Sequence, residues 1–234
     1  MANSKLPTTS SRQEIDSFLE RVRSTPLVKE QGERGRLIFA MDATASRQPA
    51  WDFACQIQGD MFLETDKLGG LEVQLCFYRG HGEFNFGPWY SHGTDLLQRM
   101  GSVYCLGGLT QIRKVLKHAL KETRARKVHA LVFVGDCMEE NVDTLCDLAG
   151  QLGVLNVPVF LFHEGGDVKA ANAFSQIARL SGGACCPFDA GSASQLKELL
   201  SAVAVYAAGG RKALESYSSG KRGPVALLSR QLHK

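Results

Sequence analysis

The sequence predicts a doubly wound, Rossmann-like α/β domain in which a mostly parallel, six-stranded sheet carries helices on both faces. Three observations support this fold class. Short apolar runs of strand length alternate along the chain with stretches whose apolar residues recur at helical spacing. The runs are nearly continuous in apolar residues, as expected of strands that are covered on both faces. One hairpin turn interrupts the alternation and adds a single antiparallel edge strand.

Three regions divide the chain of 234 residues. Residues 1–34 are expected to comprise a disordered N-terminus rich in Ser, Thr and Asn, an accessory helix that ends before Pro26, and a charged connector. The alternating pattern occupies residues 35–208 and predicts one domain. Residues 209–234 combine a basic, Ser/Gly-rich segment with a short apolar run, and we assign them no structure.

The first half of the domain contains the hairpin. The apolar run LIFAM at 37–41 predicts the first strand, and helical spacing of apolar residues follows over 51–64. The run LEVQLCFY at 71–78 predicts the second strand. The turn RGHG then leads into a third, antiparallel strand at 83–86, which ends before a Gly-Pro pair.

The rest of the domain repeats the alternation with parallel strands. The sequences ALVFVG, VPVFLF and ACCPF predict three strands, and the Pro of the second lies near its start, where a missing N–H costs least. Stretches with apolar residues at helical spacing lie before the first of these strands, between the strands and after the last one. These strands are at 130–135, 157–162 and 184–188, and the helices are at 95–100, 110–123, 142–152, 168–180 and 194–207.

Composition and charge exclude several classes of partner. The net charge is +3, and its 27 basic and 24 acidic residues are spread along the chain, so no basic block indicates nucleic acid or a membrane surface. No apolar run approaches the roughly 20 residues of a membrane-spanning helix, and no signal-peptide-like stretch begins the sequence. The seven cysteines form no C-x-x-C motif, which indicates free thiols in a reducing compartment. We therefore expect a cytoplasmic protein.

Polar residues follow two of the predicted strands and precede one long helix, at the edge where open α/β sheets bind ligands. Asp42, Thr44 and Ser46 follow the first strand, and Asp136 follows the fourth. Thr110 comes after a Gly-Gly pair, ahead of the helix. If the first and fourth strands are neighbours, two carboxylates and three hydroxyls converge on an all-oxygen site. Such a site suits a hard divalent cation, which would also relieve repulsion between the carboxylates.

These motifs, in this strand order, resemble a known family. D-A-T-A-S at 42–46, G-G-L-T at 107–110 and V-F-V-G-D at 132–136 are similar to the von Willebrand factor type A (VWA) domain and its metal-ion-dependent adhesion site (MIDAS). The form they resemble is the intracellular, stand-alone VWA protein of prokaryotes, and the resemblance covers roughly residues 35–208. The chain departs from the family in having Gly135-Asp136-Cys137 where Thr-Asp-Gly is common, so a bulkier residue follows the aspartate.

The resemblance implies a role for each site residue. Ser46, Thr44 and Thr110 would coordinate the metal directly through their hydroxyls. Asp42 and Asp136 would act mainly through bound water and by neutralising charge. The implied cation is Mg²⁺, with Mn²⁺ and Ca²⁺ as alternatives.

The function that the resemblance implies is a metal-dependent adaptor that binds an Asp or Glu carboxylate of a partner protein, with ATPase or chaperone-type machines as the suggested partners. Two alternatives stay open. One is a Mg²⁺-dependent phosphoryl-transfer or hydrolytic enzyme with Asp42 as nucleophile, although Thr44 stands where haloacid-dehalogenase-type phosphatases place a second Asp. The other is a VWA scaffold without metal. Motifs for a nucleophile elbow, a P-loop or dinucleotide binding are absent.

Two groups of side chains each have two interpretations. Cys137 lies beside the proposed site and either packs or, if its pKa is lowered, is a reactive thiol. The aromatic residues Phe84, Phe86, Trp89 and Tyr90 either cover the sheet edge or anchor a partner.

Overall fold

The computed structural model describes residues 34–65, 70–188 and 193–219, together with five positions between 13 and 21. Those five positions are helical and fall within the range of the predicted N-terminal helix. Most of the predicted disordered N-terminus and connector, and residues 220–234, lie outside the described residues.

Six strands form one sheet in the order β3-β2-β1-β4-β5-β6. Every neighbouring pair is parallel except β2 and β3, which form the antiparallel hairpin at one edge. This arrangement confirms the predicted fold class. The strands are β1 (Gly35–Asp42), β2 (Leu71–Arg79), β3 (Glu83–Tyr90), β4 (Ala130–Gly135), β5 (Val159–Glu164) and β6 (Ala184–Phe188).

Besides the helical positions between 13 and 21, six α-helices and one short 3₁₀ helix at Ala45–Arg47 surround the sheet in the described residues. Helices α1, α2 and α6 pack on one face and α3, α4 and α5 on the other, so each face has its own apolar core. No helix in the described part of the chain is long and apolar enough to cross a membrane. The helices are α1 (Gln48–Thr65), α2 (Gly93–Gly101), α3 (Ile112–Ala125), α4 (Val142–Val154), α5 (Val168–Ser181) and α6 (Ala193–Ser219).

The edge strand β3 is longer than the sequence predicts, because it continues through Gly87 and Pro88 to Tyr90. An irregularity in the β2–β3 register accommodates the pair, and the side-chain amide of Gln74 donates to the Gly87 carbonyl at 3.0 Å. Since β3 is an edge strand, the N–H that Pro88 lacks is not needed by a second neighbour.

Helix α6 also differs from the prediction, since it runs past residue 208 to Ser219. Gly210 interrupts it with φ 73° and ψ −168°, a conformation that favours glycine and kinks the helix. Part of the segment to which the sequence analysis assigns no structure is therefore helical.

The order of the sheet reverses between β1 and β4. From β1 the chain proceeds outward through β2 and β3, and from β4 it proceeds the other way through β5 and β6. The parallel pairing of β1 with β4 sets Met41 opposite Val134, so the residues that follow both strands leave the sheet side by side. The adjacency on which the predicted site depends is thus present, and it creates the crevice in which open α/β sheets bind ligands.

Candidate metal site

Asp42 ends β1 and is fully buried. Its Oδ1 accepts a hydrogen bond from the backbone N–H of Thr44 at 2.7 Å, and its Oδ2 accepts one from the Tyr78 hydroxyl at 3.2 Å. Burial raises the pKa of the Asp42 carboxyl to about 6, and the nearby charge of Asp136 adds to the rise. The hydrogen bonds from Thr44 oppose this change in pKa. The hydrogen bonds therefore fix the position of the carboxylate, but they do not fully offset the cost of burying its negative charge.

Asp136 follows β4 and faces Asp42. Its Oδ2 accepts a hydrogen bond from the Ser46 hydroxyl at 2.9 Å. Its Oδ1 is buried and has no hydrogen-bond partner among the described residues. Ligand atoms of Asp42, Asp136 and Cys137 all lie within 4.8 Å of one another. Two carboxylates this close repel each other, and the buried Oδ1 lacks a partner. A cation between them would relieve both unfavourable effects.

The backbone of Asp136 is held from β5. His163 Nε2 lies 3.1 Å from the Asp136 carbonyl oxygen, and because a carbonyl only accepts, the ring nitrogen donates. Burial lowers the pKa of His163, which favours the neutral ring. The other side chain from this strand end, Glu164, forms an ion pair with the buried Arg47, whose positive charge lowers the pKa of Asp42.

Thr110 is buried on the loop that precedes α3, and it is joined to the Asp136 loop by two reciprocal hydrogen bonds. Its Oγ1 accepts from the Glu139 N–H at 3.1 Å, and its own N–H donates to Glu139 Oε2 at 3.0 Å. The next residue, Glu140, accepts from the N–H groups of Ile112 and Arg113 at the start of α3. A carboxylate is favourable there because helix N-termini carry partial positive charge and unpaired N–H groups.

The Thr110 loop is also fixed along its backbone. The Leu106 N–H donates to the Ala43 carbonyl at 2.9 Å, and the Gly80 N–H donates to the Leu106 carbonyl at 3.2 Å. The Leu109 N–H returns a bond to the Gly80 carbonyl at 3.2 Å. Between them, Gly108 approaches Gly80 so closely that an added Cβ would lie 2.0 Å from the Gly80 oxygen. The loop is thus held between the end of β1 and the β2–β3 turn.

The structure brings four of the five predicted site residues into direct association. Thr44 bonds to Asp42, Ser46 bonds to Asp136, and the two carboxylates face each other. Thr110 is linked to this group through Glu139. The donor set of carboxylates and hydroxyls fits a hard divalent cation, and the orphaned Oδ1 of Asp136 supports that fit. The assignment of individual metal ligands stays a prediction.

Four residues that hold the site were not singled out by the sequence analysis. Tyr78, Arg47, Glu139 and Glu140 carry no motif, and their partners lie far away along the chain. Glu139 and Glu140 offered one signal, since two carboxylates follow Asp136 by three and four residues.

All seven cysteines are free thiols, including the adjacent Cys185 and Cys186. Burial raises the pKa of Cys137 to about 12, and the charge of Asp136 adds to the rise. The lowered pKa that a reactive Cys137 thiolate requires is therefore not found. At neutral pH the group is a protonated thiol, a poor ligand for a hard cation.

The raised pKa of Asp42 predicts how stability depends on pH in the metal-free protein. Between about pH 4 and 6 the folded state binds a proton that the unfolded state releases, so this group makes stability fall as pH rises through that window. The expected loss is about 2–3 kcal/mol. Urea unfolding in EDTA at several pH values, compared between wild type and Asp42→Asn, measures it. A difference between the two proteins that is flat with pH would contradict the assignment.

The sequence matches no family model and no curated protein. Solved structures do resemble it. An aerotolerance-related membrane protein from Bacteroides fragilis, carrying mutations to serine, aligns with 14% identity and a TM-score of 0.52 over 71% of this chain and 98% of its own. The VWA domain of SpRpn10 aligns with 11% identity and a TM-score of 0.54 over 82% of this chain and 97% of its own.

A third similar structure contains a metal. Proximal thread matrix protein 1 from the mussel byssus, with zinc in its MIDAS motif, aligns with 18% identity and a TM-score of 0.59 over 76% of this chain and 47% of its own. At these identities the likeness concerns the fold. The chain has the fold of a VWA domain.

Proposed function

We propose that this chain is a metal-dependent protein-interaction module that binds a carboxylate of a partner protein. The observation that carries the proposal is the facing pair of Asp42 and Asp136, in which one buried carboxylate oxygen has no hydrogen-bond partner in the described part of the chain. The VWA fold places this pair at the crevice where the strand order reverses. A bound cation would supply an open coordination position for an Asp or Glu side chain.

The residues of the site divide into two roles in this proposal. The hydroxyls of Thr44, Ser46 and Thr110 would hold the cation, and Asp42 and Asp136 would neutralise it. Mg²⁺ is the cation that we propose, with Mn²⁺ and Ca²⁺ as alternatives, because oxygen donors dominate the set. The zinc in the mussel protein supports a divalent metal in this fold without deciding which one.

The surroundings of Asp42 support a binding module more than an enzyme. A nucleophilic carboxylate must present an oxygen to its substrate. Asp42 is fully buried, and its two oxygens accept hydrogen bonds from Thr44 and Tyr78. In the proposed module this carboxylate would act by its charge and by its fixed position.

We further propose that the chain acts as a cytoplasmic adaptor, with an ATPase or chaperone-type machine as its partner. The resemblance to intracellular VWA proteins supports this choice, as do the free thiols.

Affinity purification from the native cells tests the proposal. A tagged chain is expected to retain its partner in Mg²⁺, to release it in EDTA, and to recover it when Mg²⁺ is restored. Ser46→Ala removes the hydroxyl that bonds Asp136 and is expected to weaken retention at least about tenfold. A phosphatase screen with and without Mg²⁺ addresses the enzymatic alternative. Equal retention of the partner in Mg²⁺ and EDTA would contradict the proposed function.

A further inference from the structure

Large apolar side chains are exposed on the loop that carries Thr110. Tyr104, Leu106 and Leu109 are 61%, 46% and 53% exposed, although they fall within six residues of one another. We call these three side chains the loop apolar patch. Exposed apolar residues that occur singly need no explanation, but a cluster beside a binding site is typical of an interaction surface.

The patch is held in position by the backbone of its own loop. Leu106 bonds to Ala43 and Gly80 through its N–H and carbonyl, and Leu109 bonds to Gly80 through its N–H. The Arg79 guanidinium lies 4.1 Å from the centre of the Tyr104 ring and donates to the Tyr104 carbonyl at 2.9 Å. A surface that is already ordered loses little entropy when a partner binds.

The patch adjoins the metal site on two sides. Leu106 bonds to the residue that follows Asp42, and Leu109 directly precedes Thr110. A partner residue that reaches the site therefore brings its chain neighbours onto the patch. The spacing suits a short segment with apolar residues on one or both sides of the acidic one.

One basic side chain beside the patch, Lys114, has no ion pair with a carboxylate in the described residues. Lys114 Nζ contacts two uncharged oxygens, the Gly82 carbonyl at 2.6 Å and Gln111 Oε1 at 2.7 Å. Neither contact cancels the positive charge of the ammonium group. An acidic side chain next to the patch would meet this positive charge at the β2–β3 turn, where the one described carboxylate, Glu83, is already paired with Arg79.

We propose that the loop apolar patch docks a partner segment in which large apolar residues flank the Asp or Glu that enters the metal site. The patch then gives specificity among carboxylate-bearing proteins, which the metal alone cannot distinguish. This inference rests on the proposed function, since it specifies the partner of the same site.

A peptide selection tests the inference. Displayed peptides with one fixed Asp and random neighbours are selected on the full chain in Mg²⁺, and those released by EDTA are sequenced. Apolar residues are expected to be enriched within a few positions of the Asp. The double variant Leu106→Ser, Leu109→Ser is expected to bind a selected peptide at least about tenfold more weakly, with unchanged affinity for Mg²⁺.

Leu180 provides the matched control. It is 40% exposed, which is close to the exposure of the patch leucines. It lies in the last turn of α5, and because this helix runs from the carboxyl end of β5 back to the start of β6, its last turn is at the end of the sheet opposite to the site. Leu180→Ser is expected to bind the peptides as wild type does.

The outcomes separate the two proposals. Peptides that are EDTA-sensitive but show no apolar enrichment, or that bind the double variant within twofold of wild type, would overturn the docking inference alone. A selection that yields no EDTA-sensitive peptide would overturn the proposed function, and the inference with it. A dimer in sedimentation that the double variant dissociates would assign the patch to a second copy of the chain and also overturn the inference.

Discussion

Asp136→Asn is expected to weaken Mg²⁺ binding by about 100-fold or more, as measured by isothermal titration calorimetry. The substitution keeps an oxygen that can accept the Ser46 hydrogen bond but removes the negative charge of the group. It also replaces or reorients the buried Oδ1, to which no described residue donates a hydrogen bond. Since a hard cation binds carboxylates mainly through charge, Asp42 alone would not hold it.

The stability of the same variant distinguishes loss of metal from loss of fold. The charge of Asp136 raises the pKa of Asp42, so removing it relieves repulsion in the metal-free protein. We expect the Tm of Asp136→Asn in EDTA to equal or exceed that of wild type. Asp147 is an exposed aspartate on α4 that bonds Gln151, and Asp147→Asn serves as the matched control, with Mg²⁺ affinity unchanged. Wild-type Mg²⁺ affinity in Asp136→Asn would rule out this site.

Gly108→Ala is expected to destabilise the fold by about 2–4 kcal/mol and to weaken Mg²⁺ binding at the same time. The added Cβ would lie 2.0 Å from the carbonyl oxygen of Gly80 and 2.3 Å from its carbon. Both are backbone atoms, so the loop and the β2–β3 turn must separate. The estimate combines the cost of overpacking with the loss of the two backbone bonds between the loop and Gly80. Thr110, two residues later, would move with the loop.

Gly107 is the control for this prediction because it is the adjacent glycine of the same pair. A Cβ at Gly107 meets no atom of the described residues within 4 Å. Gly107→Ala is expected to change the free energy of unfolding by less than about 0.5 kcal/mol. Urea unfolding of both variants, with Mg²⁺ titrations of each, makes the comparison. Equal effects of the two substitutions would show that the close approach to Gly80 is not what constrains the loop.

The alternation of elements could be predicted from the sequence because strand and helix periodicity are local properties. The handedness of β-α-β crossovers restricts the possible sheet orders. That β1 and β4 are neighbours, which brings Asp42 and Asp136 together, was a condition of the prediction, and the structure supplies it. The end of β3 could not be predicted from local pattern. Pro88 signals a break, and the strand continues because Gln74, on the neighbouring strand, bonds to Gly87.

The site itself was only partly predictable. Asp42 and Asp136 follow strands and stand in a recognisable motif, but Tyr78 and Glu139 are placed by tertiary contacts alone. The Gly-Gly pair illustrates the same limit, because its two members look equivalent in sequence. Only Gly108 approaches another backbone, at Gly80.

The hydrogen bonds of Glu139 and Glu140 connect the Thr110 loop to helix α3. They attach the Thr110 loop and the first turn of α3 to the same two residues, so the loop and the helix are held together as one unit. With 14 residues, α3 is about 21 Å long. In its last turn, Glu122 accepts a hydrogen bond from the Trp89 indole at 2.9 Å. The Thr110 loop at one end of α3 and the edge strand β3 at the other are therefore both attached to the same helix.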